Sequence, residues 1–435
     1  MLDQHRTATR PSASRAMRSE RLTRVRPHQT IAPMVDKSTD NAASVNRGTW
    51  KGARLRQARL ARGLTLDGLA NGLVRPVTKQ ALSKFETGKA RPSPTVLLAL
   101  AATLDVSPSW LLDEPSISVE WLGYRKHSRL RRTDQKAIEG RAALRLEAEH
   151  RIRGLFQLGP QAPMPQWEVN TPAKAEEAAG RLRVEWRLGT DPIASLVEVV
   201  ESRHGIIATR GGPERFDGLS GFASNGAPVI ILNDAVPVDR LRFNLAHELG
   251  HLVLRSDAAP AEQELLAHRF AGAFLLPAEE VQAVLGARRR TLDTEELGLI
   301  KRQWGISMQA TVRRARDIGI VAESTYTGMM IDFRRHGWHR IEPVECPFEE
   351  EPRLLRSLVH RAVSEELLSD RDAGQLLHEH AMTSHGAEHR RPSFRELARM
   401  SPEERNAILV GSSVESEDTA AWDATDAAEL RAIEA

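Results

Sequence analysis

The chain has 435 residues, 41% of them apolar and 27% charged, with a net charge of +3. That length exceeds what one hydrophobic core serves and implies roughly two to four domains, while the lack of any run near ~20 apolar residues argues against a membrane span and for a cytoplasmic protein. The single cysteine, Cys346, excludes an internal disulfide and any zinc site built mainly from thiolates, leaving the fifteen histidines as the place to look for metal ligands.

Residues 1–46 read as a disordered, arginine-rich tail, with seven arginines before position 30 and no apolar periodicity. The same composition suits a targeting presequence, and Met34 offers an alternative start. Between Arg47 and Arg91, eleven Lys/Arg stand against two acids (Asp67 and Glu86), a balance of +9. Residues 401–435 hold nine acids and two arginines, a balance of −7. The basic segment points to a polyanionic partner and the acidic end to a solvated, partly disordered tail over 381–435.

Residues 47–114 carry the signals of a compact helical unit. Leu55 and Leu60 lie among Arg54, Arg56, Arg59 and Arg62, predicting an amphipathic helix with a basic face that ends at Gly63. Thr65 is placed to cap a second helix at Leu66–Asn71, Thr78 a third at Lys79–Thr87, and Ser93 a fourth at Thr95–Leu104. In the third helix Ala81, Leu82 and Phe85 form the inward stripe, which leaves Thr78, Lys79, Gln80, Ser83 and Lys84 for base edges and phosphates. The segment resembles the Cro/C1-type (XRE) helix-turn-helix family through Leu55-Arg56-Gln57-Ala58-Arg59, Gly63-Leu64-Thr65, Leu69-Ala70, the run Thr78 to Gly88, and Leu97-Leu98-Ala99-Leu100-Ala101. The resemblance implies double-stranded operator DNA as a partner and is compatible with a homodimer. The turn Leu73-Val74-Arg75-Pro76-Val77 is longer than the family's usual one, and Gly68 replaces a better helix former.

Residues 115–168 read as a connector with a charged helix near 129–156 and a breaker run at 159–165. Beyond it the pattern mixes helix and short strands. The helix Arg240–Leu254, with Asp239 as its expected cap, contains His247, Glu248 and His251. Two histidines four residues apart share a helix face and suit two ligands of one Zn²⁺. Glu248 is close enough to reach the remaining coordination site, and Gly250 leaves room for another element to pack nearby. The other positions are mostly Leu, Val, Ala and Phe, so buried imidazoles and a carboxylate there call for pairing or a cation. The literal H-E-x-x-H string is weak by itself and gains weight from that context.

A catalytic zinc takes a third protein ligand and keeps one open position. Glu262, Glu264 and His268 on the next helix, which stops at Pro277, are the candidates. Glu264 is favoured because it begins the aliphatic stripe facing the histidine helix, with His268 as an adjacent supporting partner or substitute ligand. Here the sequence resembles the ImmA/IrrE metallopeptidases, through Arg242 to His251 with Leu252 and Leu254, then Glu264, Ala267, Arg269-Phe270-Ala271 and Phe274-Leu275-Leu276-Pro277. The similarity extends over roughly 180–325, from Val229-Ile230-Ile231-Leu232-Asn233 to Trp304-Gly305-Ile306-Ser307-Met308-Gln309-Ala310. It implies two histidines and a following glutamate on zinc, the motif glutamate as general base, and a repressor or toxin as protein partner. Many members carry a glutamate where this chain has Leu266.

The expected fold is therefore multidomain and mainly α. An N-terminal all-α helix-turn-helix domain is followed by an α+β zincin-like minimal metallopeptidase domain at 169–282, and a helical region at 283–380 packs on the latter. Two functions compete: a DNA-binding regulator with a working endopeptidase, and a non-catalytic transcription factor or antitoxin with a structural or sensory zinc domain. Strands near Gly205–Thr209 and Pro228–Leu232 could offer a peptide an edge. An inverted zinc motif at His385-Gly386-Ala387-Glu388-His389, near His378 and His380, lies in a polar stretch unsuited to hold geometry. The outline of a second helix-turn-helix at Leu297–Ile318 is expected to pack on the peptidase region rather than read nucleic acid. Tyr124 and Tyr326, the only tyrosines, have no evident catalytic placement.

Overall fold

The computed structural model describes residues 50–74, 76–115, 117–122, 131–156, 163–204, 207–210, 216–374 and 376–377, of which 203–204 and 207–210 are described by their backbone alone. The inverted zinc motif and Tyr124 lie outside these residues.

Four helices open the described chain: α1 (Ala53–Ala61), α2 (Leu66–Gly72), α3 (Lys79–Glu86) and α4 (Pro94–Leu104). Three of them begin at hydroxyl caps: Thr65, Thr78 and Ser93 accept from the backbone N–H of Gly68, Ala81 and Val96. Leu55, Leu69, Leu82, Leu100 and Trp110 form their shared core. Of the four arginines expected on the basic face of α1, Arg56 is exposed and Arg62 half-buried, whereas the other two turn inward. Arg54 is buried, bonding to Glu147, to the carbonyl of Glu114 and to Gln57, and stacking over Trp110. Arg59 is buried too, its fork gripping Glu86 at 2.5 and 2.9 Å. Paired in this way, both guanidiniums hold the unit together instead of facing phosphates.

The stretch expected as a connector is built into both of its neighbours. Its strand β1 (Val119–Trp121) closes one edge of a sheet, and its helix α5 (Arg132–Leu155) is a 24-residue spine. Gly140 lets α5 touch α1 closely, since a Cβ there would fall 2.8 Å from the backbone nitrogen of Ala61. Leu144 reaches the helix-turn-helix core, whereas Ile138 and Ala142 pack on Phe216, Leu219 and Ile231. Charge along the helix was too simple a guide, because α5 is covered on several sides.

After β2 (Trp167–Glu168) come α6 (Pro172–Glu185), α7 (Leu196–His204), β3 (Ile207–Arg210), β4 (Gly218–Ala223) and β5 (Pro228–Leu232). The sheet order is β1-β4-β5-β3, antiparallel except for the parallel β3–β5 pair. β5 is therefore paired on both sides and offers no free edge, contrary to expectation; β3 lies at the border. α8 (Val238–Val253) packs on β4 and β5 and leads through β6 (Leu254–Arg255), which pairs with β2, to α9 (Pro260–Leu275). α6 lies against α9.

The chain continues through α10 (Ala278–Leu285), α11 (Thr294–Trp304), α12 (Met308–Asp317), α13 (Glu323–Arg335) and α14 (Leu354–Ser364). Leu297, Ile300, Trp304, Met308, Val312 and Ala315 join one apolar core with α8 and α9. Arg314 is buried between Glu176 and the carbonyl of Leu276, and Arg316 lies over the ring of buried Tyr326. This second helix-turn-helix outline is a packing element, with Arg313 and Arg314 buried.

Candidate metal centre and nucleic-acid interface

The length of α8 follows from its apolar positions: Leu241, Leu245, Leu249, Leu252 and Val253 are all buried. Asp239 does not cap it, because Pro237 holds the cap position and Asp239 sits in the first turn, ion-paired with Lys301 at 2.8 Å. Behind the helix, Arg242 is fully buried and bonds to Glu350 and to the carbonyls of Ile193 and Gly305. Glu350 in turn accepts the backbone N–H groups of Leu196 and Val197, capping α7. A residue more than 100 positions away thus pins the histidine helix in place.

On the other side, Gly250 permits close contact with α9, since a Cβ there would lie 3.1 Å from the ring of Phe270 and 3.4 Å from the Ala267 backbone. That proximity brings Glu264 to the two histidines. Its Oε2 is 3.2 Å from Nε2 of His247, its Oε1 is 3.3 Å from Nε2 of His251, and the two Nε2 atoms are 3.0 Å apart. Burial alone would raise the Glu264 carboxyl, but the bonds to His247 and His251 hold it well below the usual carboxylate range.

These separations suit one small cation. Ligand atoms ~2.0–2.1 Å from a tetrahedral zinc stand about 3.3–3.4 Å from one another, near the three distances here. The donor set of two imidazole nitrogens and a carboxylate is also zinc's own. The Nδ1 of His247 is buried and has no hydrogen-bond partner among the described residues, so the ring gains its polar contact through Nε2.

The rival candidates are placed differently. Glu262 is exposed and bonds back to the N–H of Ala259, closing the first turn of α9. His268 lies one turn beyond Glu264, its ring centroid 4.4 Å from that of His247 and its other side stacked on Phe243. It could offer a ligand nitrogen within 4.8 Å of the ligand atoms of His247 and Glu264. Burial, then the proximity of His247 and Arg313, pushes its imidazole well below the ordinary histidine value.

Glu248 faces the sheet. It is buried, and Ser220 Oγ on β4 donates to its Oε2 at 2.7 Å. Nothing in the local sequence marks Ser220 or Gly218, because strand and helix are brought together only by the sheet.

On α3, Thr78, Lys79, Gln80 and Lys84 are exposed and Ser83 is half-buried. Lys79 reaches Asp67 on α2 at 2.6 Å, with both side chains more than half exposed. A polyanion could compete for that cation.

Residues 203–316 match the family model of the IrrE N-terminal-like domain, and residues 55–111 match the helix-turn-helix model. The chain joins a Cro/C1-type helix-turn-helix domain to an IrrE-like peptidase-family domain. No curated protein matches it. The IrrE-like match spans α8 and α9 and with them His247, Glu248, His251 and Glu264; domains of that family are zinc metallopeptidases. The helix-turn-helix match spans all of α2 to α4 and supports binding of double-stranded DNA. No described helix is long and apolar enough to cross a membrane.

Proposed function

We propose that the protein is a DNA-binding regulator whose IrrE-like domain is a zinc-dependent endopeptidase acting on a repressor, toxin or comparable partner protein. The observation that carries the reading is the convergence of His247, His251 and Glu264 within 3.3 Å of one another. His247, His251 and Glu264 would hold the ion, with His268 packed on the first of them. Bound zinc supplies Lewis acidity, which acidifies water and polarises a peptide carbonyl.

The chain's own residues supply the proton handling. Glu248 takes a proton from the attacking water and passes it to the departing amine, so the peptide C–N bond breaks as a C–O bond forms. Burial of Glu248 beside the sheet shields that transfer from bulk solvent. On the DNA side, Lys79, Gln80, Ser83 and Lys84 would face the major groove, with Thr78 fixing the start of their helix.

Glu248→Gln tests the assignment. It is expected to keep zinc and to lower cleavage by about 10²–10⁴-fold, the usual contribution of a general base. Zinc stoichiometry and the new protein N-termini arising in cells that express wild type, but not the variant, measure the two parts. A wild-type protein that holds zinc yet generates no termini would instead support the non-catalytic, sensory reading.

A further inference from the structure

Gly218 and Ser220 stand two residues apart on β4 and so share one face of it, while Leu219 between them points to α5. Both meet the same side chain. Ser220 Oγ donates to Glu248 Oε2 at 2.7 Å, and a Cβ on Gly218 would lie 2.8 Å from Glu248 Cγ and 2.9 Å from its Oε1.

We propose that Ser220 is a positioning residue for Glu248 and that Gly218 provides the clearance this placement needs. The inference rests on the reading that Glu248 works beside a cation held by His247, His251 and Glu264. A glutamate side chain has three rotatable bonds, and a general base must present one oxygen within hydrogen-bond reach of the proton it takes. Ser220 ties down Oε2, which leaves Oε1 to accept that proton.

Three observations single out this serine. It is completely buried, 0% exposed, so its hydroxyl needs an internal partner. Its carbonyl accepts from the Leu122 N–H at 2.9 Å, and the strand is paired with β5 on its other side, so the hydroxyl has a fixed origin. A hydroxyl also donates to a carboxylate without adding a competing charge beside a cation site, which a lysine or arginine would do.

The test uses the full chain loaded with Co²⁺, with acetohydroxamic acid as a probe that binds the ion as acetohydroxamate and yields its proton to a neighbouring carboxylate. Ser220→Ala is expected to leave Co²⁺ affinity within about twofold and to weaken acetohydroxamate about tenfold, the equivalent of one hydrogen bond to a charged group. The visible cobalt spectrum should move toward that of Glu248→Gln. Ser220→Thr, which keeps the hydroxyl, should restore probe binding, and Gly218→Ala should weaken it with the serine intact. Wild-type probe affinity and spectrum in both Ser220→Ala and Gly218→Ala would overturn the proposal while leaving the metal centre standing. Wild-type protein that takes up no Co²⁺, or takes up as much after His251→Ala, would remove the metal-centre reading and this inference with it.

Discussion

The helices α3 and α8 handle their polar residues in opposite ways. On α3 the polar groups before Glu86 lie toward solvent: only Leu82 is fully buried, Lys79, Gln80 and Lys84 stand exposed, and Glu86 alone turns in to Arg59. On α8 the polar groups interrupt a buried stripe and meet partners from elsewhere, His247 and His251 at Glu264 and Glu248 at Ser220. A surface that reads an external polymer keeps its donors hydrated until that polymer arrives, so its strength varies with salt. A centre that does chemistry gathers its groups where water is scarce and charge interactions are strong.

The contrast breaks most severely at the proposed metal centre. His251→Ala removes one of three converging groups and should lower zinc affinity by well over about 100-fold, beyond the loss for a supporting outer partner. Zinc content after dialysis reads this directly. Next comes the anchor behind α8. Glu350→Ala strands the buried Arg242 guanidinium and should destabilise the fold by about 3–5 kcal/mol, seen as a lower denaturation midpoint.

A third variant separates burial of charge from function. Burial pushes the Glu201 carboxyl up to about 7 against the opposing pull of Arg145 and the Leu354 N–H. The folded protein thus keeps this proton to higher pH than the unfolded chain. Its stabilising contribution is complete below the ordinary carboxylate range and declines as pH rises through about 7. Glu201→Gln should abolish that decline, changing the pH 4 to 8 stability difference by roughly 3 kcal/mol in denaturant titrations. A flat wild-type profile would show the acid is not buried as described. The smallest effect belongs to the exposed helix. Lys84→Ala should weaken DNA binding similarly across sequences and reduce the salt-dependence slope by about 1. Binding indifferent to salt would contradict a phosphate-facing role for this surface.

The caps at Thr65, Thr78 and Ser93 were legible in the sequence because a cap and its N–H partner are three residues apart. The pairing of His247 with His251 was legible for the same reason, one turn of helix setting their spacing. Glu264 was favoured from its place in an apolar stripe, and the close approach at Gly250 is what brings it to the histidines. The fates of the arginines were not legible. Arg54 finds Glu147, Arg242 finds Glu350 and Arg314 finds Glu176, across 93, 108 and 138 residues respectively. Composition counts such residues as surface charge, whereas their burial depends on which acid the fold delivers. The spine α5 was misjudged likewise, since its contacts lie in three separate parts of the chain.

Local order alone determined the helical units, their caps and the two-histidine face, because each arises from backbone geometry and side-chain preferences within one or two turns. Tertiary structure decided which carboxylate meets those histidines, which hydroxyl holds Glu248, and which cations are left for a polyanion. Those outcomes depend on the crossing of α8 with α9, its packing on β4, and the packing of α1 against α5 and α3, contacts between segments whose separation in sequence carries no periodic signal.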